Sequence, residues 1–198
     1  MLADRYLGKR LNSPNDIVVK SDDTVWFTDP DYGILSDFTG NKAPSEIGAC
    51  HVFRVDPRTG ELRSVCGDMV KPNGLAFSPD ERVLYVADSG ASHDPDGPHH
   101  ILAFDVGDDG SLQNRRVFAV IDAGIPDGFR VDVDGNVWTS AEDGVHCIAP
   151  DGELLGKVRV PETVANVAFG GPKRNRLFIA AASSLYAVYV GTRGAQTP

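Results

Sequence analysis

SPNDIVVKSDDTVWFTD (13–29), KPNGLAFSPDERVLYVAD (71–88) and IPDGFRVDVDGNVWTSAE (125–142) are three versions of one pattern. Each opens with Pro, then Asn or Asp, then a small or acidic residue, and runs on as an alternating strand. A polar turn follows, and then a second strand carrying an aromatic. Asn73 lies 58 residues after Asn15, and Asp127 lies 54 residues after Asn73. A weaker fourth copy, ETVANVAFGGPKRNRLFIAAA (162–182), keeps the strands and turn but has lost the Pro-Asn start. Periods of roughly 40 to 50 residues belong to β-propellers, in which each unit is one four-stranded blade. Insertions at blade edges account for the longer spacings.

The remaining strand signals agree. Alternating or apolar runs bounded by turn chemistry predict fifteen strands between residues 15 and 190, at Asp22-Asp23, Pro57-Arg58-Thr59-Gly60, Asp108-Asp109-Gly110, Asp134-Gly135 and Asp151-Gly152 among other turns. No helical periodicity exceeds about two turns. The 21 Gly and 13 Pro suit many tight turns. No linker or shift of composition divides the 198 residues, so one all-β domain, 1–198, is expected. Residues 1–12 read as the end of a strand and its loop. The C-terminal GTRGAQTP (191–198) reads as a frayed tail.

A formal net charge of −9 argues against nucleic-acid and anionic-membrane partners. No apolar run is long enough to span a bilayer, and the first 30 residues carry no signal-peptide core. Three cysteines, Cys50, Cys66 and Cys147, without CxxC spacing, read as reduced thiols of a cytoplasmic protein. A signal peptide lying before Met1 would change that localisation.

The repeat puts Asn15, Asn73 and Asp127 at equivalent places near the propeller axis. Oxygen side chains converging there suit a hard divalent cation. Singly, Pro-Asn-Asp, Pro-Asn-Gly and Pro-Asp-Gly are ordinary turn sequences; their recurrence in register argues for a shared site. Asp29 and Asp88 close the second strands and read as turn residues or supports behind the site, with holding of nearby loops as the other reading. Asp132, Asp134 and Gly135 read as a hairpin turn, since EF-hand spacing is absent. Trp26 and Trp138 occupy matching core places. The long loops 30–48 and 89–100 are where binding residues tend to sit. There His99 and His100 read as solvated. No Gly-x-Ser-x-Gly, P-loop or dinucleotide fingerprint occurs.

LADRYLGKRLNSPNDIVVKSDDTVWFTDPDYGI (2–34), KPNGLAFSPDERVLYVADSGASHDPDGPHHI (71–101), IPDGFRVDVDGNVWTSAEDGVHCIAPDGELLGKVRVPE (125–162) and FGGPKRNRLFIAA (169–181) together resemble the gluconolactonase / senescence-marker-protein (regucalcin) family of sugar lactonases. The resemblance covers almost the whole chain, with several motifs in order. It implies a six-bladed propeller with a divalent metal on its axis, calcium first, with zinc, magnesium or manganese as the other candidates. It implies that Asn73 and Asp127 are metal ligands, that Asn15 is a ligand or a substrate-binding residue, and that His93 contacts substrate; Tyr32, in the 30–48 loop, reads as a packing residue or a substrate contact. Asp127 is the candidate base, and a small sugar lactone the expected partner.

One departure is large. The family's metal shell includes a Glu in a first blade, and nothing in residues 1–12 matches it. About four blades are expected here, an incomplete ring with the rest upstream of Met1. Open blade edges are expected to drive self-association. Two other readings stay open: a non-catalytic propeller scaffold, and another metal-dependent esterase, such as an organophosphate-cleaving one, on the same platform.

Overall fold

In the computed structural model, which describes residues 1–196, the predicted strands are all present. A short hairpin, β1 (Arg5–Tyr6) and β2 (Lys9–Arg10), precedes four sheets. Blade 1 is β3 (Ile17–Val19), β4 (Val25–Asp29), β5 (Cys50–Asp56) and β6 (Glu61–Met69). Blade 2 is β7 (Pro72–Phe77), β8 (Val83–Asp88), β9 (His100–Val106) and β10 (Leu112–Val120). Blade 3 is β11 (Phe129–Val131), β12 (Val137–Ala141), β13 (Gly144–Ile148) and β14 (Leu154–Arg159). Blade 4 has three strands, β15 (Val164–Gly170), β16 (Arg176–Ala181) and β17 (Leu185–Tyr189). Every pairing is antiparallel and joins strands consecutive in the chain, the meander of a propeller blade. The inner strands β3, β7, β11 and β15 lie side by side in that order.

Packing follows from strand alternation. Along β8, Leu84 and Val86 pack with Trp26 and Val52 of blade 1, while Tyr85 and Ala87 pack with Phe129 and Val137 of blade 3. Side chains of one strand thus feed two interfaces, which is why β8 is apolar on both faces. Blades 3 and 4 meet through Trp138, Val145, Val167 and Leu177. The far face of blade 1 is partly covered by Tyr6 and Leu11. Ile17 and Val19 stay exposed there, as do Leu185 and Tyr189 on β17.

Three local expectations are corrected. Residues 1–12 form a hairpin of their own. The tail is not frayed: the Val133 and Ala195 N–H groups donate to Arg193 and Val131 carbonyls, and Gly194 bridges Asp132. Those bonds are backbone to backbone, so the polar, Gly-containing tail gave no side-chain signal of them. Residues 197–198 of the predicted tail lie outside the described residues. Finally, His99 and His100 are half-buried rather than solvated. His100 opens β9, and the His99 Nδ1 lies 2.8 Å from the Ile121 carbonyl. Short helical turns sit in both long loops, α1 (Tyr32–Leu35) in one and Gly90–Ser92 in the other.

Candidate functional site

The three motifs begin the inner strands of successive blades, all at one end of the axis. Backbone bonds tie them blade to blade. Gly74 N–H donates to the Asp127 carbonyl (3.1 Å), and Gly128 N–H donates to the Ala165 carbonyl (2.8 Å). A Cβ at Gly74 would fall 2.3 Å from the Asp127 carbonyl oxygen, and one at Gly128 would fall 2.2 Å from the Asn166 side chain. The glycines of Pro-Asn-Gly and Pro-Asp-Gly therefore serve close approach of neighbouring strands, not a turn. Ala165 stands where the fourth copy has lost its polar residue.

Asn73 is buried and Asp127 half-buried. Burial pushes the Asp127 carboxyl up to about 6; the Asn73 amide beside it pulls it down, and the Asp16 carboxylate pushes it further up. The Asn73 amide donates to Ser89 Oγ (3.2 Å), and Ser89, fully buried, donates on to the Pro126 carbonyl. Asp127 N–H is fixed by Ser140 Oγ (2.9 Å). Each oxygen-bearing residue is thus held through a neighbour's hydroxyl.

Asn15 behaves differently. Its N–H donates to the Thr28 carbonyl (2.9 Å), which keeps the strand register, but its side chain is exposed and makes no hydrogen bond among the described residues. The next residue, Asp16, is the one that reaches inward. Its carboxylate accepts from Leu75 N–H (3.3 Å) and lies 3.5 Å from the Arg130 guanidinium, tying blade 1 to blades 2 and 3. Thr28 adds a second tie, donating to the Asn73 carbonyl (2.8 Å) and accepting from Asp16 N–H (3.1 Å).

Tyr32 and His93 come together over this end, from the two long loops. Their ring centroids are 5.5 Å apart. Tyr32 Oη lies 3.2 Å from Ser92 Oγ, which lies 2.8 Å from His93 Nδ1. Burial raises the Tyr32 phenol above its ordinary range, and the Asp127 and Asp88 carboxylates add to the rise. It therefore stays a neutral donor. Lys71, paired with Asp31, places its ammonium 5.7 Å from the Tyr32 ring centre.

Asp29 and Asp88 hold loops. Asp29 accepts from Asn12 and Ser13 N–H groups, and Asp88 accepts from Val70 and Lys71 N–H groups. Trp26 and Trp138 are core residues, their indoles donating to Thr24 and Asp132. Asp132 Oδ1 accepts from Asp134 and Asn136 N–H groups in the expected hairpin turn. A cavity of about 510 Å³ under the 30–48 loop is lined by Asn12 and Ser13, which Asp29 holds, and by Gly33 next to Tyr32. Its one carboxylate, Glu46, is held below the usual range by Arg10.

Among the described residues no three His, Cys, Asp or Glu side chains gather. A half-buried carboxylate with no facing cation and an adjoining amide do fit a hard divalent ion. Asp127 and Asn73 are the two that fit; calcium takes six to eight oxygens, so most of its shell would come from elsewhere.

Comparison with known proteins matches residues 1–183 to the SMP-30/gluconolactonase/LRE-like region. This chain belongs to the SMP-30/gluconolactonase family. Within it, a gluconolactonase from Zymomonas mobilis is 35% identical, the match covering 98% of this chain and 55% of the relative. A lactonohydrolase from Aspergillus oryzae is 30% identical over 98% of this chain and 48% of its own length. The solved structure of a gluconolactonase from Xanthomonas campestris superposes with a TM-score of 0.87 at 41% identity, covering 94% of this chain and 60% of that one. The chain thus spans about half the length of the curated family members it matches. Its four blades are those of a lactonase propeller.

Of the residues singled out in the sequence, the structure sets Asn73 beside Asp127 and Tyr32 beside His93, and leaves the Asn15 side chain exposed. Sequence reasoning missed Asp16, Thr28, Ser89, Ser92 and Lys71. Asp16 stood inside the Pro-Asn-Asp motif and was the one readable signal among them.

Proposed function

We propose that this site hydrolyses sugar lactones, with a divalent cation, calcium first, held by Asp127 and Asn73 and completed by Asn15 when its free amide turns inward. The observation that carries the reading is the pairing of Asp127 with Asn73 at the axial end of a lactonase propeller. Zinc, magnesium and manganese remain competitors for the same oxygens. A bound cation polarises the lactone carbonyl as a Lewis acid.

The chain's own residues do the rest. Asp127, whose carboxyl burial raises to about 6 before any cation binds, is ionised at neutral pH and is the group placed to take a proton from the attacking water. The water oxygen bonds to the carbonyl carbon, the ring C–O bond breaks, and the ring oxygen leaves as a hydroxyl. Tyr32 and His93 line the approach and offer hydroxyl and imidazole contacts to sugar hydroxyls. Ser92 fixes both relative to each other. Three free cysteines suit a reducing compartment, and we assign the protein to the cytoplasm.

The test is proton release from gluconolactone in the presence of calcium, other divalent ions or chelator, with Asp127→Asn alongside. Calorimetry of metal binding runs on the same samples. Metal-dependent hydrolysis lost in Asp127→Asn supports the reading. Binding without hydrolysis of any lactone favours another esterase. Neither binding nor hydrolysis leaves a non-catalytic scaffold.

A further inference from the structure

The 30–48 loop belongs to blade 1, where it joins β4 to β5. Most of its polar ties run back to residues 10–13, which lead into that blade. Ser13 Oγ donates to the Pro30 carbonyl (2.6 Å) and accepts from Gly33 N–H (2.9 Å). Ser45 Oγ donates to Asn12 Oδ1 (2.6 Å), and Glu46 pairs with Arg10 (2.6 Å). Around Tyr32 there is no apolar anchor, since α1 buries none of its residues. Yet Tyr32 meets His93, which belongs to blade 2. Among the described residues two polar side-chain contacts of the loop make that crossing. One is the Tyr32 hydroxyl on Ser92 Oγ (3.2 Å), at the exposed rim. The other is Lys71 on Asp31.

Lys71 is fixed at its own end. Its N–H donates to Asp88 Oδ1 (2.8 Å), its carbonyl accepts from Ser89 N–H (3.0 Å), and Pro72 behind it narrows its backbone freedom. Its side chain is 12% exposed and that of Asp31 24%, so the ion pair stands largely out of water. Asp31 occupies the N-cap of α1, where an Asp ordinarily accepts from N–H groups of the first turn. It makes no such bond. Its carboxylate is given to Lys71 instead, with the Cys50 thiol 3.9 Å away as its other contact. The same ammonium lies over the ring of the next residue, Tyr32, at 5.7 Å. One cation from blade 2 thus holds two consecutive residues of the blade 1 loop.

We propose that Lys71 is a positioning residue of the lactone site: through Asp31 it anchors the 30–48 loop to blade 2 and holds the Tyr32 ring against His93, so that the two rings form one wall for the sugar. That the wall receives a sugar lactone rests on the function proposed above; the anchoring does not. Asp31 balances the charge of Lys71, so the pair acts on where Tyr32 sits and adds no net charge beside the reacting carbonyl. Loosening the wall weakens contacts made equally to substrate and transition state, which raises KM and leaves kcat alone.

Hydrogen exchange of the 198-residue chain is the first test, on the parent, Lys71→Met, Lys71→Arg and Lys157→Met. Lys157→Met is the control, because it takes a similarly buried cation (16% exposed) from Asp122 and Asp143 on blade 3. In Lys71→Met the Gly33 and Ile34 amides are expected to exchange about fivefold faster or more, the loss lying between an exposed and a buried ion pair. The β8 amides should stay as in the parent. Lys71→Arg should restore the slow loop exchange, and Lys157→Met should leave it unchanged. With gluconolactone and calcium, KM should rise about fivefold or more in Lys71→Met at unaltered kcat. Asp31→Asn should reproduce that rise, and the double variant should be no worse.

Unchanged loop exchange in Lys71→Met overturns the proposal. So does loss of β8 protection alongside it, which would make Lys71 a support of blade 2 itself. A fall in kcat at unaltered KM overturns it by placing Lys71 at the chemistry. If the parent hydrolyses no lactone, the function proposed above fails, and exchange still decides the anchor: loop amides quickened in Lys71→Met and restored in Lys71→Arg uphold it, and unchanged ones overturn it. Should Lys71→Met fail to fold, Asp31→Asn takes its place, breaking the same pair from the loop side.

Discussion

At the scale of the residue, one buried carboxylate, Asp29, and one half-buried, Asp127, carry the pH behaviour. Burial lifts Asp29 and Asp127 each to about 6, against an ordinary 3.8. For Asp127 the consequence is kinetic. The base must be ionised, so kcat/KM for a lactone is expected to rise with pH through a limb near 6 and to fall about tenfold per pH unit below it. A bound cation stabilises the ionised form and should move that limb down, so profiles at low and high calcium check it. For Asp29 the consequence is stability. Below 3.8 both folded and unfolded chains hold the proton, and nothing is lost. Between 3.8 and about 6 the unfolded chain ionises while the folded one does not, so stability falls as pH rises. Denaturant melts across that window should show this slope, flatter in Asp29→Asn, with Asp127 supplying what remains.

At the scale of the element, the inner strands are set by what cannot fit between them. Gly74→Ala drives a Cβ into the Asp127 carbonyl, 2.3 Å away, and backbone must move. A loss of about 1–3 kcal/mol or more is expected, with lactone turnover falling as Asp127 is displaced. Gly156→Ala on β14 meets nothing within 4 Å and should change stability by no more than about 0.5 kcal/mol. Urea melts of the pair separate close approach from a general intolerance of alanine. These strands were legible in the sequence because Pro, an oxygen side chain and a small residue recur in register. The roles of Thr28 and Ser89 were not. A hydroxyl that bridges two blades is defined by a neighbour some 37 to 45 residues away, and no local spacing marks it. Asn15 shows the opposite limit: its register was readable, but the outward turn of its amide was not.

At the scale of the whole molecule, a cation that joins Asp127 and Asn73 links blade 3 to blade 2. Calcium at a hundredfold excess over its Kd should stabilise the fold by about 2.7 kcal/mol, read as a rise in Tm that chelator reverses. Asp127→Asn should abolish the rise while leaving the melt cooperative. The number of blades was legible because each motif marks one. The pinned tail was not, since it depends on backbone groups that every residue type shares.

The meander also bears on how the chain is made. Blades 2 and 3 each bury one face against the blade before and the other against the blade after. A nascent chain can therefore settle each unit in turn as it leaves the ribosome, without waiting for distant partners. Until the next unit emerges, the newest sheet carries a bare greasy side. Translation of this protein moves one such side steadily from the first motif to the last. Any pause in synthesis between motifs fixes which surface chaperones must shield.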